Sequence, residues 1–315
     1  MVQTTSAINR RSEIRHDQQE IQQFYSQQQT KFILSHKGKF VAIENKIKYF
    51  DQSQLSRFNA NEPLGSEVDK TTFIYLGEIN QQHLFVISIK ELPLASDEVA
   101  LVDLRTASLL AEKNEVEQLF YAQGLLNWHH SHQYCAKCGA LSQSAQSGHS
   151  RICSNPDCAK EHFPRIEPAV IFSVQTKIDG VDKLLLARQA NWPDKRYSVL
   201  AGFAEHGESL ELAVKREGFE EVGLKIENVQ YVSSQAWPFP ASLMLGFTCE
   251  TNEHSIRLID QELEQAHWFS AAEMKAAVEK GELRMPYSVS ISWNLVDRWY
   301  HQQTGESIRT LKTID

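Results

Sequence analysis

Two groups of residues have the type and spacing to do chemistry. One is a set of thiols, Cys135-x2-Cys138-x14-Cys153-x4-Cys158; the other is an acidic stretch, Arg216-Glu-Gly-Phe-Glu-Glu-Val-Gly-Leu224. Two close cysteine pairs separated by a loop can set four thiolates on a tetrahedron, the geometry that structural Zn²⁺ prefers. Gly139 follows the first pair and Asn155-Pro156 lies inside the second, which suits tight metal-binding knuckles. Four thiolates close the shell, so this metal is expected to be structural rather than catalytic. The competing account is four buried thiols without metal. His129, His130, His132, His149 and His162 stand nearby and could replace a ligand. Four cysteines suffice, so these histidines are expected at the surface.

In the acidic stretch, Ser209 suits a helix N-cap and Gly223 a C-terminal stop. At 3.6 residues per turn, Glu217, Glu220 and Glu221 fall within an arc of about 100°. Their like charges repel and destabilise an isolated helix, so a positive partner is expected. Ala213 and Val214 share the acidic side while Leu212, Phe219 and Val222 lie across it, a pattern expected of a helix enclosed on both sides. A solvated acidic face is the plain alternative. Carboxylates in an enclosed site suit Mg²⁺ or Mn²⁺, which also bind phosphate oxygens. Held against a pyrophosphate, such ions withdraw charge from phosphorus and generate hydroxide from water.

The elements that must position these groups are short. Residues 1–30 form a polar, Gln-rich leader, expected to be frayed or a loosely docked helix. Strand-like runs follow at Lys31–Leu34, Lys39–Glu44, Ile47–Phe50, Thr72–Gly77 and His83–Ile89, with turn residues at 61–65 and at Asn80. A helix is predicted from about Thr106 to His130. This gives a β-rich domain over 31–130, a thiol-bearing module over 131–163 and a mixed domain over 164–315. The last carries strands at Ala169–Val174, Lys183–Ala187, Glu227–Ser233 and Leu243–Cys249. Its helices are predicted at Ser209–Val222, Ala271–Lys280 and Val289–Gln302, so this half reads as α+β or α/β, and the chain with its β-rich first domain is expected to be α+β.

The 315-residue chain carries 32 Lys and Arg against 40 Asp and Glu, a net charge of -8, which makes it a poor general binder of nucleic-acid backbone and leaves RNA contact to a local site. No stretch approaches the roughly 20 apolar residues of a membrane span. The first residues lack the apolar core of a secretory signal, so a cytoplasmic location is expected. Cys249, in an apolar segment, reads as a buried free thiol.

The segment from Gly202 resembles the Nudix box, G-x5-E-x7-R-E-U-x-E-E-x-G-U with U aliphatic. Gly202, Glu208, Arg216, Glu217, Glu220, Glu221, Gly223 and Leu224 stand in register, and Gly218 departs from an aliphatic position. The resemblance implies a C-terminal α/β/α sandwich. It also implies metal ligation by Glu217 and Glu221, with Glu220 a ligand or the group handling water, and Arg216 orienting the glutamates.

Beyond the box, Ser234-Gln235-Ala236-Trp237-Pro238-Phe239-Pro240-Ala241-Ser242 resembles the S-Q-P-W-P-F-P-x-S motif of the NADH pyrophosphatases in that superfamily, with Ala236 where the family has Pro. An amide, a hydroxyl and two aromatics suit a flat heterocycle and its ribose; a structural hairpin with packed aromatics is the alternative. The similarity also runs through Gln123-Gly-Leu-Leu-Asn-Trp-His-His and through Phe163-Pro-Arg-Ile-Glu-Pro, where Phe163 and Glu167 replace the usual Tyr and Asp. It implies that Phe163 and Phe203 approach the nicotinamide and that Glu262 is a further metal ligand, with Glu264 its near competitor. Ala201 is expected to give its carbonyl to metal, and the backbone of Ser290-Ile-Ser292 to meet the substrate.

The implied activity is hydrolysis of NADH or NAD⁺ to nicotinamide mononucleotide and AMP, with Mg²⁺ or Mn²⁺ and a structural Zn²⁺. Removal of NAD caps from RNA 5′ ends is the same reaction on another substrate, and family members are usually homodimers. The alternatives are a Nudix pyrophosphatase for ADP-ribose or diadenosine polyphosphates, a NAD(H)-binding regulator without turnover, and a zinc-ribbon adaptor.

Overall fold

The computed structural model describes residues 8–58, 73–89, 99–259 and 261–311. The chain divides into two compact units, the first running to Ile166 with Trp237–Ala241 added, the second comprising Glu167–Ala236 and the chain from Ser242.

In the first unit Asp17 caps helix α1 (Gln18–Tyr25) by accepting from the amides of Gln19 and Glu20. Strands β1 (Lys31–His36), β2 (Lys39–Ile43), β3 (Lys46–Ile47), β4 (Tyr49–Phe50), β5 (Phe73–Ile79), β6 (Gln82–Ser88) and β7 (Val99–Val102) form one sheet. Its order is β3-β2-β1-β6-β5, with β4 on β1 and β7 on β2; β1 and β6 run parallel. Alternating side chains cover its two faces. Ile33, Phe40 and Val86 meet one helix layer, while Phe32, Leu34 and Phe85 meet α1. Ile21 and Tyr25, four residues apart on α1, are 1% and 2% exposed, so this part of the expected leader is a helix packed into the core. The turn residues expected at 61–65, and Thr72, lie outside the described residues.

The single helix expected over 106–130 is two helices, α2 (Leu104–Leu110) and α3 (Lys113–Ser131). Ala111 and Glu112 are extended, and Glu112 starts α3 in a capping box with Glu115. Strands β8 (Ser142–Ala145), β9 (Ser150–Cys153) and β10 (Glu161–His162) then form a small antiparallel sheet.

The second unit contains β11 (Glu167–Ile178), β12 (Val181–Arg188), β13 (Leu200–Phe203), α4 (Leu210–Val222), β14 (Glu227–Trp237), β15 (Ser242–Glu250), β16 (Gln265–Phe269), α5 (Ala271–Glu279) and α6 (Ile291–Thr304). The sheet order is β14-β15-β11-β12-β16, with β13 paired to β11 and with β11 and β15 parallel. Asp179 and Gly180, both at positive φ, turn β11 into β12 as expected for a two-residue hairpin. Val170, Phe172 and Val174 of β11 pack with Ala213, Val214 and Val222 of α4. Ile171, Leu184 and Leu186 face α5 and α6 through Met274, Leu295 and Val296. Helices thus cover both faces, giving the α/β/α sandwich. Among the described residues no helix is long and apolar enough to cross a membrane.

Candidate active site

The four thiols converge. The Sγ atoms of Cys135, Cys138, Cys153 and Cys158 all lie within 4.8 Å of one another, with 3.8 Å between Cys135 and Cys158 and 3.4 Å between Cys138 and Cys153. Bonds of about 2.3 Å to a tetrahedral zinc require sulfurs about 3.8 Å apart, so the thiols fit that ion. Gly139, at φ 77°, and the Asn155–Ala159 turn shape the two knuckles. His162 holds Nε2 3.2 Å from Cys135 Sγ.

The neighbouring histidines correct the surface expectation. His129 and His149 are buried, each with Nε2 against a backbone carbonyl: Gly148 at 2.8 Å and Tyr75 at 2.7 Å. Arg151, also buried, donates to Nδ1 of His129 at 2.9 Å and to Ser142.

In α4, Ser209 Oγ accepts from the amide of Leu212 and Gly223, at φ 69°, ends the helix. Arg216 organises the acidic residues. Its guanidinium donates to Glu208 through Nε and Nη2 at 3.2 and 2.8 Å, to Glu217 at 2.9 Å, to Glu220 at 2.8 Å and to the carbonyl of Phe203 at 2.8 Å. This is the positive partner that the like charges called for. Arg216 holds Glu208 below the usual carboxylate range. Glu217 moves the other way: burial raises its pKa, and the charges of Glu220 and Glu262 add to the rise. Glu221 is 2% exposed. Glu262 therefore shares an electrostatic neighbourhood with the box, whereas its competitor Glu264 is paired with Arg188.

Two glycines fit this helix to the sheet. A β-carbon on Gly202 would overlap the Glu217 carboxylate, and one on Gly218 would overlap Ile226, which is 2% exposed. Gly218 departs from the aliphatic pattern because Ile226 fills the space. Ala201 precedes Gly202 on β13, opposite Ile171. The expectation of a helix enclosed on both sides needs correction: Leu212 and Phe219 are 54% and 56% exposed, because the sheet covers the opposite face.

A hard divalent cation is compatible with this all-oxygen donor set, and its charge would offset the burial cost on Glu217. Arg216 bridges Glu217 and Glu220 here, and among the described residues only the thiols meet as a group of three or more ligand atoms.

The expected substrate residues divide between the units: Phe163 and Trp237–Ala241 in the first, Phe203, Gln235, Ala236, Ser242 and Ser292 in the second. Phe163 and Phe203 are 62% and 55% exposed. Trp237 and Phe239 pack edge-on against Phe120, each with ring centroids 6.1 Å away. Asn127, whose role the sequence does not signal, donates to the carbonyls of Pro238 and Pro240 at 3.1 and 2.9 Å, and Gln123 donates to Asn127 at 2.6 Å. Ser242 is buried in register with Glu167. Gln235 spends both amide atoms on the backbone of Val289 and Ile291, and Ser292 bonds Ser198 at 2.6 Å.

The sandwich with its box helix and the four-thiol module define a zinc-ribbon Nudix hydrolase. Sequence profiles agree, with a NADH pyrophosphatase-like rudimentary NUDIX domain over residues 29–128, a NADH pyrophosphatase zinc ribbon domain over 130–163 and a NUDIX domain over 168–288. The chain is 37% identical over 238 residues to the NAD-capped RNA hydrolase NudC of Mycobacterium tuberculosis, covering 72% of this chain and 74% of that one. It is 37% identical to the mitochondrial NAD(P)H pyrophosphatase NUDT13 of Mus musculus over 66% of this chain and 62% of that one. Against the chloroplastic Nudix hydrolase 19 of Arabidopsis thaliana it is 35% identical, over 70% and 54% of the two chains. The chain belongs to the NADH pyrophosphatase family of Nudix hydrolases.

Proposed function

We propose that this chain hydrolyses the pyrophosphate of NADH or NAD⁺ to nicotinamide mononucleotide and AMP, and removes NAD caps from RNA by the same cleavage. The observation that carries the reading is the Arg216-centred gathering of Glu208, Glu217 and Glu220 in a chain that carries the family's box and aromatic motif. Glu217, Glu220, Glu221 and Glu262, with the Ala201 carbonyl, would hold Mg²⁺ or Mn²⁺. That metal would supply charge withdrawal at phosphorus and an acidified water. Arg216 keeps the box carboxylates oriented. Phe203, exposed in the unit that carries the box, offers a face for the nicotinamide. Assembly as a homodimer and work in the cytoplasm complete the proposal.

The test is incubation with Mg²⁺ or Mn²⁺ and NADH, NAD⁺, ADP-ribose or a diadenosine polyphosphate, with products identified by mass. Nicotinamide mononucleotide and AMP from NADH support the reading. Preferential cleavage of ADP-ribose or diadenosine polyphosphate would replace its substrate, and binding without products would make the protein a regulator.

A further inference from the structure

Gln235 reaches from β14 to the start of α6. Its Nε2 donates to the carbonyl of Val289 at 2.7 Å, and its Oε1 accepts from the amide of Ile291 at 2.7 Å. These backbone groups flank Ser290, which is extended at φ -89° and ψ 150°. The carboxamide pairs with them as the peptide group of a neighbouring strand would. Ile291 is the first residue of α6, so its amide has no partner within the helix.

Four further contacts hold the same segment. Ser290 Oγ donates to the Tyr287 carbonyl at 2.7 Å and caps the amide of Trp293. Ser292 Oγ lies 2.6 Å from Ser198 Oγ. The δ-methyl of Ile291 lies against Gly246, where a β-carbon would come within 2.7 Å of it.

We propose that Gln235 is a positioning residue, which fixes the backbone of Ser290–Ser292 for the dinucleotide instead of touching the dinucleotide itself. This rests on the proposed function and on the resemblance of Ser290-Ile-Ser292, which implies that this backbone meets the substrate. Two variants separate the bonds. Gln235→Met removes both at similar size, whereas Gln235→Glu at pH 8 keeps an acceptor for Ile291 and loses the donor to Val289.

The experiment measures hydrogen exchange at residues 287–294 in the substrate-free, zinc-loaded full chain, together with kcat and KM for NADH. In Gln235→Met the Ile291 amide should exchange about tenfold faster. KM should rise about tenfold while kcat stays within about threefold. Gln235→Glu should keep near-normal protection and show a smaller rise in KM. Unchanged exchange in Gln235→Met would overturn the clamp. Faster exchange with unchanged KM would overturn its service to substrate while leaving the hydrolase reading intact. Failure of the unaltered chain to cleave NADH would instead defeat that reading.

Discussion

The carboxylate of Glu217 lies where a β-carbon on Gly202 would be, so the first glycine of the box makes room for the glutamate that follows Arg216. A methyl group at 202 would push that carboxylate away from Arg216, which holds it at 2.9 Å. Gly202→Ala should therefore lower kcat/KM for NADH by about a hundredfold, the scale of a catalytic group displaced by an ångström. Far-ultraviolet circular dichroism and zinc content should stay normal. Full activity in such a folded variant would separate Gly202 from the site.

Local order was legible in the sequence and coverage was not. The Ser209 cap, the Gly223 stop and the contacts of Arg216 with Glu217 and Glu220 all follow from spacing along one helix. Which face of α4 meets the sheet depends on strands far away in sequence, so Leu212 and Phe219 were misplaced. Glu112 hid the break between α2 and α3, because a glutamate seldom begins a capping box. His129 and His149 beside a metal module suggested a wet surface, but carbonyls of Gly148 and Tyr75 let them be buried. A free amide at Gln235 suited a ligand equally well; its partners lie 54 and 56 residues on.

Gly218 and Ile226 should be energetically coupled. Gly218→Val restores an aliphatic residue but meets Ile226, so it should destabilise by about 1–3 kcal/mol. Ile226→Ala alone should cost about 2–5 kcal/mol through the cavity it leaves. Combined, the two should cost at least about 1 kcal/mol less than their sum in urea unfolding. Additive costs would mean that Ile226 is not the reason for the glycine.

Zinc should be present at about one ion per chain after gentle purification, held by Cys135, Cys138, Cys153 and Cys158. Stripping it, or making Cys153→Ala, should lower Tm by at least about 5 °C. NADH hydrolysis by any fraction that stays folded should continue, since a closed shell offers no site to substrate. Chains that bind no zinc and melt normally would reject the ribbon.

Acid should weaken the first unit through its buried histidines. Burial lowers His129 to about 4 and His149 to about 3. An unfolded histidine titrates near 6.5, so below that pH the unfolded chain takes up protons that the folded chain refuses. Their stabilising effect is complete above about pH 7 and declines as pH falls through 6.5 toward 4, by about 3 kcal/mol for His129. Urea midpoints at constant zinc loading should trace this slope, and His149→Gln should flatten it. An identical slope in that variant would remove His149 as its source.

Glu221 offers the sharpest separation of chemistry from folding. It is 2% exposed, and Glu221→Gln keeps its shape while removing its charge. An amide oxygen remains a weak ligand for a hard cation, so Mn²⁺ should be needed at higher concentration. Turnover of NADH should fall by about 10³-fold, the scale of losing a charged group at the reacting phosphate. Glu220, with its side chain 48% exposed, should tolerate the same change with a smaller loss, since solvent can replace part of its contribution. Near-normal turnover of a folded Glu221→Gln chain, with an unshifted Mn²⁺ requirement, would take Glu221 out of the metal site.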